Sequence, residues 1–183
     1  MTPAPPPTVD EAARRVLDAA DELFTPLGVA AVTMADVRDR SGVSMRRLYS
    51  LHPTKRDLVA AWLRHRHERW LVWFDDEIAR RIQAGATTID ALFGALADWL
   101  ESTSYRGCAF LNTLAETTEL DADTRQVISH HKRSLVEHLS RHSEHAAELG
   151  VLVDGAITRS AVFADAEPCR IAARIAHTLE GAR

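Results

Sequence analysis

Apolar side chains recur at helical spacing along almost the whole chain after its first eight residues. In the first run they fall three or four positions apart between Val9 and Phe24, and Pro26 and Gly28 end the pattern. No segment alternates apolar and polar positions between hairpin turns, which is the pattern typical of strands. The sequence therefore predicts an all-α fold.

Two short helices joined by a tight turn are predicted next. Thr33 and Asp36 have the spacing of a capping box, so a helix starts at Thr33 and stops near Arg40. Gly42 tolerates the left-handed backbone that a helix end often requires, and Ser44 can cap the following helix. Two short helices joined in this way form a helix-turn-helix, whose second member can enter the DNA major groove.

Charge is distributed unevenly along the chain. The net charge is −4, yet residues 38–57 contain six arginine and lysine side chains and two carboxylates. Neutralising DNA phosphates favours such a local concentration of cations. A solvated helix surface is the alternative source of a charge run. On the second helix of a helix-turn-helix, the basic cluster favours DNA binding.

Three stretches in this region carry a resemblance to a known family. They are LFTPLG, VTMADVRDRSGVS and LYSLHPTKRDL, and together they are similar to the N-terminal domain of the tetracycline-repressor (TetR) family of transcriptional regulators. The similarity runs without a gap over about residues 9–60. Family members commonly carry aromatic residues just before the proline, where this chain has Leu51 and His52.

The motif and the resemblance together imply a set of DNA-contacting residues. Helix starts can hold phosphate oxygens, and the first turn of the recognition helix reaches base edges. We expect one of Arg46 and Arg47 to contact a base and the other a phosphate. Helix capping, a packed tyrosine, a surface histidine and a solvated lysine are the ordinary alternatives. The predicted DNA-binding residues are Thr33, Arg38, Ser44, Met45, Arg46, Arg47, Tyr49, Ser50, His52 and Lys55.

Beyond the basic region the pattern predicts a long helix from Lys55 to about Arg81 and an amphipathic helix starting near Thr88. The segment YRGCAFLNTLAE, residues 105–116, resembles a signature of TetR-type ligand-binding domains. In that family the C-terminal helices enclose an effector pocket, although an aromatic stripe is more often plain core. The pocket candidates are Trp70, Trp73, Phe74, Phe93, Trp99, Phe110 and Asn112.

Two stripes near the C-terminus suggest how the chain associates with itself. Small residues among branched ones permit close helix approach, so two helices from each subunit would form a four-helix interface. Packing within one chain is the alternative. The stripes are Ala146, Leu149, Val153, Ala156, Ile157 and Ser160, then Ile171, Ala172, Ile175, Ala176 and Leu179.

Histidines and a cysteine raise an alternative, a metal or redox sensor on the same scaffold. One unbroken helix over 125–149 would bring His131, His138, His142 and His145 to one side, as a metal site needs, although LSRHSE looks like a helix junction that Ser143 could cap. Cys108 could sense oxidants if it were exposed near Arg106, because the arginine would favour its thiolate. The alternative is that Cys108 is a small buried hydrophobic residue.

The sequence contains no Gly-rich phosphate loop, nucleophile elbow or His-Glu-x-x-His motif, so no enzyme, metal or cofactor is predicted. No apolar run approaches a membrane span, and no leader is visible, which predicts a soluble cytoplasmic protein without a membrane partner. We expect a disordered tail at 1–8, a DNA-binding domain at 9–56 and a ligand-binding and dimerisation domain at 57–183. The expected function is a ligand-responsive regulator: a homodimeric repressor on an inverted-repeat operator, released by a small molecule.

Overall fold

The computed structural model describes residues 8–101, 106–117 and 121–181, and these residues form helices and no strand. The all-α prediction is confirmed. Residues 1–7, most of the predicted tail, lie outside the described residues. The helices are α1 (Val9–Leu27), α2 (Met34–Ser41), α3 (Met45–Leu51), α4 (Lys55–Gln83), α5 (Thr88–Leu100), α6 (Ala109–Glu116), α7 (Ala122–Leu139), α8 (Ala146–Phe163) and α9 (Glu167–Gly181).

Local capping chemistry sets the ends of the first helices, as the sequence indicated. The Thr33 hydroxyl accepts from the Asp36 amide at 3.2 Å, and the Asp36 carboxylate accepts from the Thr33 amide at 2.7 Å. Helix α2 ends at Ser41, one residue later than predicted, and Gly42 follows with φ 66° and ψ 13°. This left-handed conformation suits glycine, and it lets the Gly42 amide bond the Arg38 carbonyl at 3.0 Å.

The N-terminal helices pack around one apolar centre. Helix α1 lies against α2, α3 and α4, and Phe24 meets the buried Trp62 ring edge-on at 5.1 Å between centroids. Leu48 of α3 is fully buried in the same core. Burying each such side chain contributes roughly 1.5–3 kcal/mol, so this centre fixes the orientation of α3.

Helix α4 joins the two predicted domains without a break. It contains 29 residues, which corresponds to about 43 Å at the usual rise per residue. It packs against α1 near its start and against α5 and α7 further along. The predicted boundary between 9–56 and 57–183 therefore falls in its first turn.

The C-terminal helices form a second apolar centre. Helix α5 packs against α4 and α9, α7 against α4 and α8, and α8 against α9. The largest fully buried side chains there are Phe74, Ile78, Leu92, Leu96, Leu135, Leu139 and Leu149.

The structure corrects the prediction that the α8 stripe forms an interface between subunits, because the stripe belongs to this core. All six of its residues are buried inside one chain: Ala146, Leu149, Val153, Ala156, Ile157 and Ser160. On α9, Ala172 and Ala176 are buried as well, whereas Ile171 and Ile175 are 39% and 45% exposed. Helical spacing identifies an apolar face, but it does not tell which neighbour covers that face.

The junction between α7 and α8 is confirmed, but its cap is not the predicted one. Helix α7 ends at Leu139 and α8 begins at Ala146, with His145 at the capping position. The Ser143 hydroxyl accepts from the His145 amide at 2.9 Å, two residues ahead of that position. The unbroken helix over 125–149 that a histidine metal site required is therefore wrong.

Candidate nucleic-acid interface and ligand cavity

The second helix of the helix-turn-helix, α3, is positioned by one cap and one anchor. The Ser44 hydroxyl accepts from the Arg47 amide at 3.3 Å, and Leu48 is fully buried against the core. With Leu48 facing inward, Arg46, Tyr49 and Ser50 are exposed, and Met45 and Arg47 are half-buried.

Two arginines of α3 have side chains without partners among the described residues. Among the residues that the structure describes, neither Arg46 nor Arg47 has an ion-pair or side-chain hydrogen-bond partner. Two other arginines of the basic region have partners: Arg38 bonds Asp39 at 2.7 Å, and Arg40 pairs with Glu22 of α1. The charge available to a polyanion therefore lies on α3 and on Arg56 at the start of α4, which is exposed and has no side-chain partner among the described residues.

Lys55 and His52 have structural contacts that the sequence did not indicate. The Lys55 ammonium donates to the Ala30 carbonyl at 3.3 Å, which ties the start of α4 to the segment between α1 and α2. His52 follows α3 and is half-buried, and this burial lowers the pKa of its imidazole. Its Nε2 is buried without a hydrogen-bond partner among the described residues. Neither side chain is freely available to phosphate in this conformation.

Two adjoining cavities lie beside α4. A groove of about 690 Å³ adjoins a smaller inner cavity of about 20 Å³, and Arg66, Trp70 and Trp99 line both. The groove has the volume of a typical small-molecule site, whereas the inner cavity is about the size of a water molecule.

The structure divides the predicted pocket residues among several places. Trp73 lines the groove and Phe110 the inner cavity. Phe74 and Phe93 are almost fully buried in the core and line neither. Asn112 lines a third pocket, of about 230 Å³, between the end of α1 and α6. The seven candidates therefore do not form one pocket.

Polar residues of the cavities escaped the sequence prediction, which followed aromatic side chains. Arg66, His131 and Lys132 all line the inner cavity. The sequence does indicate that Arg66 lies near the cavities. It is four residues from both Trp62 and Trp70, so it shares their side of α4.

His131, which lines the inner cavity, is a neutral histidine. Its ring stacks on Phe110 with centroids 3.7 Å apart, and its Nδ1 lies 3.0 Å from Nδ1 of His67. Burial, and then the nearby Lys132 ammonium, lower the pKa of His131 to about 2. The imidazole pair needs one ring to donate and the other to accept, so neutrality and the hydrogen bond support each other.

Neither a clustered metal site nor an exposed Cys108 is found within the described ranges. No group of three or more His, Cys, Asp or Glu side chains there could hold a metal ion. Cys108 is only 7% exposed, and the Lys132 ammonium lies 3.7 Å from its sulfur. Burial raises the pKa of the other thiol, Cys169, to about 11.

Polar contacts connect these cavities to α1. Arg66 Nη1 donates to Asp21 at 2.6 Å and to Thr25 at 3.1 Å, and the Trp62 indole N–H donates to the same Asp21 oxygen at 2.7 Å. At the end of α6, the Glu116 carboxylate accepts from the Ala30 amide at 3.1 Å. Helix α1 and the segment after it are thus bonded to the helices that line the cavities.

Comparison with known proteins agrees with this architecture. Residues 16–62 match the family model for bacterial regulatory proteins of the tetR family. A TetR-family transcriptional regulator from Streptomyces coelicolor, SCO4454, has a TM-score of 0.73 at 21% identity, with 94% of each chain covered. The reduced form of Escherichia coli NemR has a TM-score of 0.74 at 17% identity, covering 92% of this chain and 97% of that one.

A TetR regulator from Chloroflexus aurantiacus gives a TM-score of 0.71 at 20% identity, with 91% and 92% of the two chains covered. Identities this low show the fold alone. A search of curated proteins returned no significant match. Among the described helices, none is both long and apolar enough to span a membrane.

The family model covers the helix-turn-helix and the start of α4, and the solved regulators share the fold of nearly the whole chain. The motifs at residues 9–60 indicated the same assignment. Residues 16–62 are therefore similar to the bacterial regulatory proteins of the tetR family, and nearly the whole chain has the fold of solved TetR-family transcriptional regulators.

Proposed function

We propose that this regulator is a homodimeric repressor that binds an inverted-repeat operator and leaves it when a small molecule occupies the C-terminal cavities. The observation that carries the proposal is the uncommitted arginine pair on α3, the helix that enters the major groove in this motif. Arg46 is exposed on that helix, and Arg47 beside it is half-buried.

Exposed apolar side chains on the last two helices support self-association. Val151 and Val162 of α8 are 73% and 72% exposed, and Ile171 and Ile175 of α9 are also exposed. Because α8 and α9 pack side by side, we propose that these residues belong to one two-helix face. A second copy turned by a two-fold axis would cover that face and place two reading helices on one side of the dimer.

The groove beside α4 supports the response to a ligand. It has the volume expected for a small molecule, and Arg66 in its wall bonds Asp21 of α1. A ligand shifts the equilibrium only if it binds one geometry of the dimer more tightly than the other. The bond between Arg66 and Asp21 is a contact through which occupation of the groove can change the position of α1.

The DNA assignment is tested with operator fragments selected from random-sequence DNA by the wild-type protein. Replacing Arg46 and Arg47 together by Ala should abolish the mobility shift of such a fragment, because it removes a base contact and a phosphate contact. The matched control is the double replacement of Arg125 and Arg133, two exposed arginines of α7, which removes the same charge elsewhere. Retained binding by the α3 variant would refute the assignment of Arg46 and Arg47 to the DNA-binding surface.

The dimer is tested by light scattering coupled to size exclusion. Val162→Glu together with Ile175→Glu should give a monomer, because each charge would be buried in the proposed interface. Val9→Glu replaces a valine that is also exposed, at the start of α1, and should leave the dimer mass unchanged. A wild-type protein that is monomeric at every concentration would contradict the proposal.

A further inference from the structure

Arg66 has hydrogen-bonding capacity that the protein does not use. Its Nη1 makes both recorded bonds, to Asp21 and Thr25. A guanidinium carries five N–H donors, and within the described part of the chain no hydrogen bond is formed by Nε or Nη2. The side chain is 21% exposed. One edge of a largely buried cation is therefore left without an acceptor.

That unused edge belongs to a residue lining all three cavities. Arg66 lines the groove, the inner cavity and the pocket between α1 and α6. A carboxylate would match the edge well, because two parallel N–H donors accept a planar pair of oxygens.

Aromatic side chains surround the same position. Trp70 and Trp99 line both the groove and the inner cavity, and their rings meet edge-on at 5.8 Å. The Trp70 indole N–H is buried and has no hydrogen-bond partner among the described residues. The wall therefore offers two apolar ring surfaces, inclined at 70° to each other, and a second donor that lacks an acceptor.

The charges around Arg66 are unevenly placed. The lining of the inner cavity contains two cations, Arg66 and Lys132, and no carboxylate. Asp154 pairs with the Lys132 ammonium at 2.5 Å but does not line the cavity. The rest of the groove carries the carboxylates Asp21, Glu68 and Asp76 beside Arg69. An anionic group is therefore favoured where the groove meets the inner cavity, at the Arg66 edge.

We infer that the cavities beside α4 take a planar aromatic carboxylate. Its carboxylate accepts from Nε and Nη2 of Arg66, and its ring lies against Trp70 and Trp99. This inference rests on the proposed ligand response and names the chemical class of the ligand. Binding would place a second carboxylate on the guanidinium that holds Asp21 of α1, which links occupation to the DNA-binding helices.

The test compares three probes with the same ring and different charge: 2-naphthoate, 2-naphthamide and the 2-naphthylmethylammonium ion. Isothermal titration of the full chain at neutral pH should rank them acid, amide, ammonium, with the acid at least about tenfold tighter than the amide, as a charge-assisted hydrogen bond provides. Benzoate and benzamide repeat the comparison with a smaller ring, so that size and charge are separated.

Arg66→Lys keeps the charge and can still reach Asp21, but it lacks the planar edge. This variant should lose about tenfold in affinity for the acid and leave the amide unchanged. Arg69→Lys, an exposed arginine in the wall of the same groove, is the matched control and should keep the wild-type ranking. Circular dichroism checks that both variants are folded.

The wild-type ranking decides the inference even if Arg66→Lys does not fold. An amide that binds as tightly as its acid, an ammonium ion that binds best, or no binding of either acid at millimolar concentration would overturn it. Each of these results leaves the operator shift untouched, so failure here is distinguishable from failure of the proposed function.

Discussion

Acidification should destabilise this protein through His131. In the unfolded chain the imidazole takes up a proton as the pH falls through its ordinary pKa near 6.5, whereas in the folded protein the pKa is lowered to about 2. Between these values the unfolded state binds more protons. The contribution of His131 to stability is therefore complete above pH 6.5 and is lost as the pH falls below it.

The size of this effect follows from the two pKa values. Moving from pH 7.5 to pH 5.5 should lower the free energy of unfolding by about 1 kcal/mol through this residue alone. His52 and His67 change stability in the same direction, because burial lowers their pKa values as well. The total change in the wild-type protein exceeds the His131 part, so a variant is needed to isolate it.

His131→Asn is that variant, since its amide can still bond Nδ1 of His67 but does not titrate. Urea unfolding followed by tryptophan fluorescence, at one protomer concentration and at both pH values, gives the free energy for each protein. The difference between the two pH values should be about 1 kcal/mol smaller in the variant. His130→Asn, an exposed position on the same helix, should behave as the wild type. An unchanged pH dependence in His131→Asn would refute the assignment of a buried, neutral imidazole.

Three further predictions concern single side chains. Gly42→Ala should lower stability by about 1–2 kcal/mol, because the left-handed backbone there strains any residue with a Cβ, and Gly42→Asn should lower it less. Trp62→Phe should cost about 2 kcal/mol or more by removing the hydrogen bond to the Asp21 carboxylate; both are measured by urea unfolding. Cys169, with a thiol pKa of about 11 against an ordinary 9.0, should react with iodoacetamide about a hundredfold more slowly in the native protein than in urea.

Their controls are internal to the chain. A Cβ added at Gly42 would meet no neighbouring atom within 4 Å, so an alanine that destabilises no more than asparagine would mean that backbone strain is not the cause. For Trp62, Asp21→Asn removes the charged acceptor; if Trp62→Phe lowers stability equally in that background, the hydrogen bond is not its source. Rapid native labelling of Cys169 would show that its burial is transient.

The local elements were predictable because their signals lie within a few residues. A hydroxyl at Thr33 or Ser44, and a glycine at position 42, fix helix ends through bonds between near neighbours. The helix-turn-helix and its exposed arginines therefore followed from the sequence, and the structure places these caps where they were expected.

Tertiary features were harder because they depend on which helices meet. Trp70 and Phe74 lie one turn apart on α4, yet Trp70 lines both cavities, whereas Phe74 is fully buried with its ring near His138 of α7. The α8 stripe was apolar as predicted but faced inward. Lys55 appeared to be a free cation until its bond to Ala30, 25 positions earlier in the chain, was visible.

The continuity of α4 has a consequence for chimeras of this protein. Because one uninterrupted helix carries both the Trp62 contact to α1 and the Trp70 wall of the cavities, a graft within it must preserve angular phase. Inserting one residue between those positions would rotate one half against the other by about 100°. Exchange of DNA-binding domains among relatives should therefore succeed only at junctions that keep this helix in register.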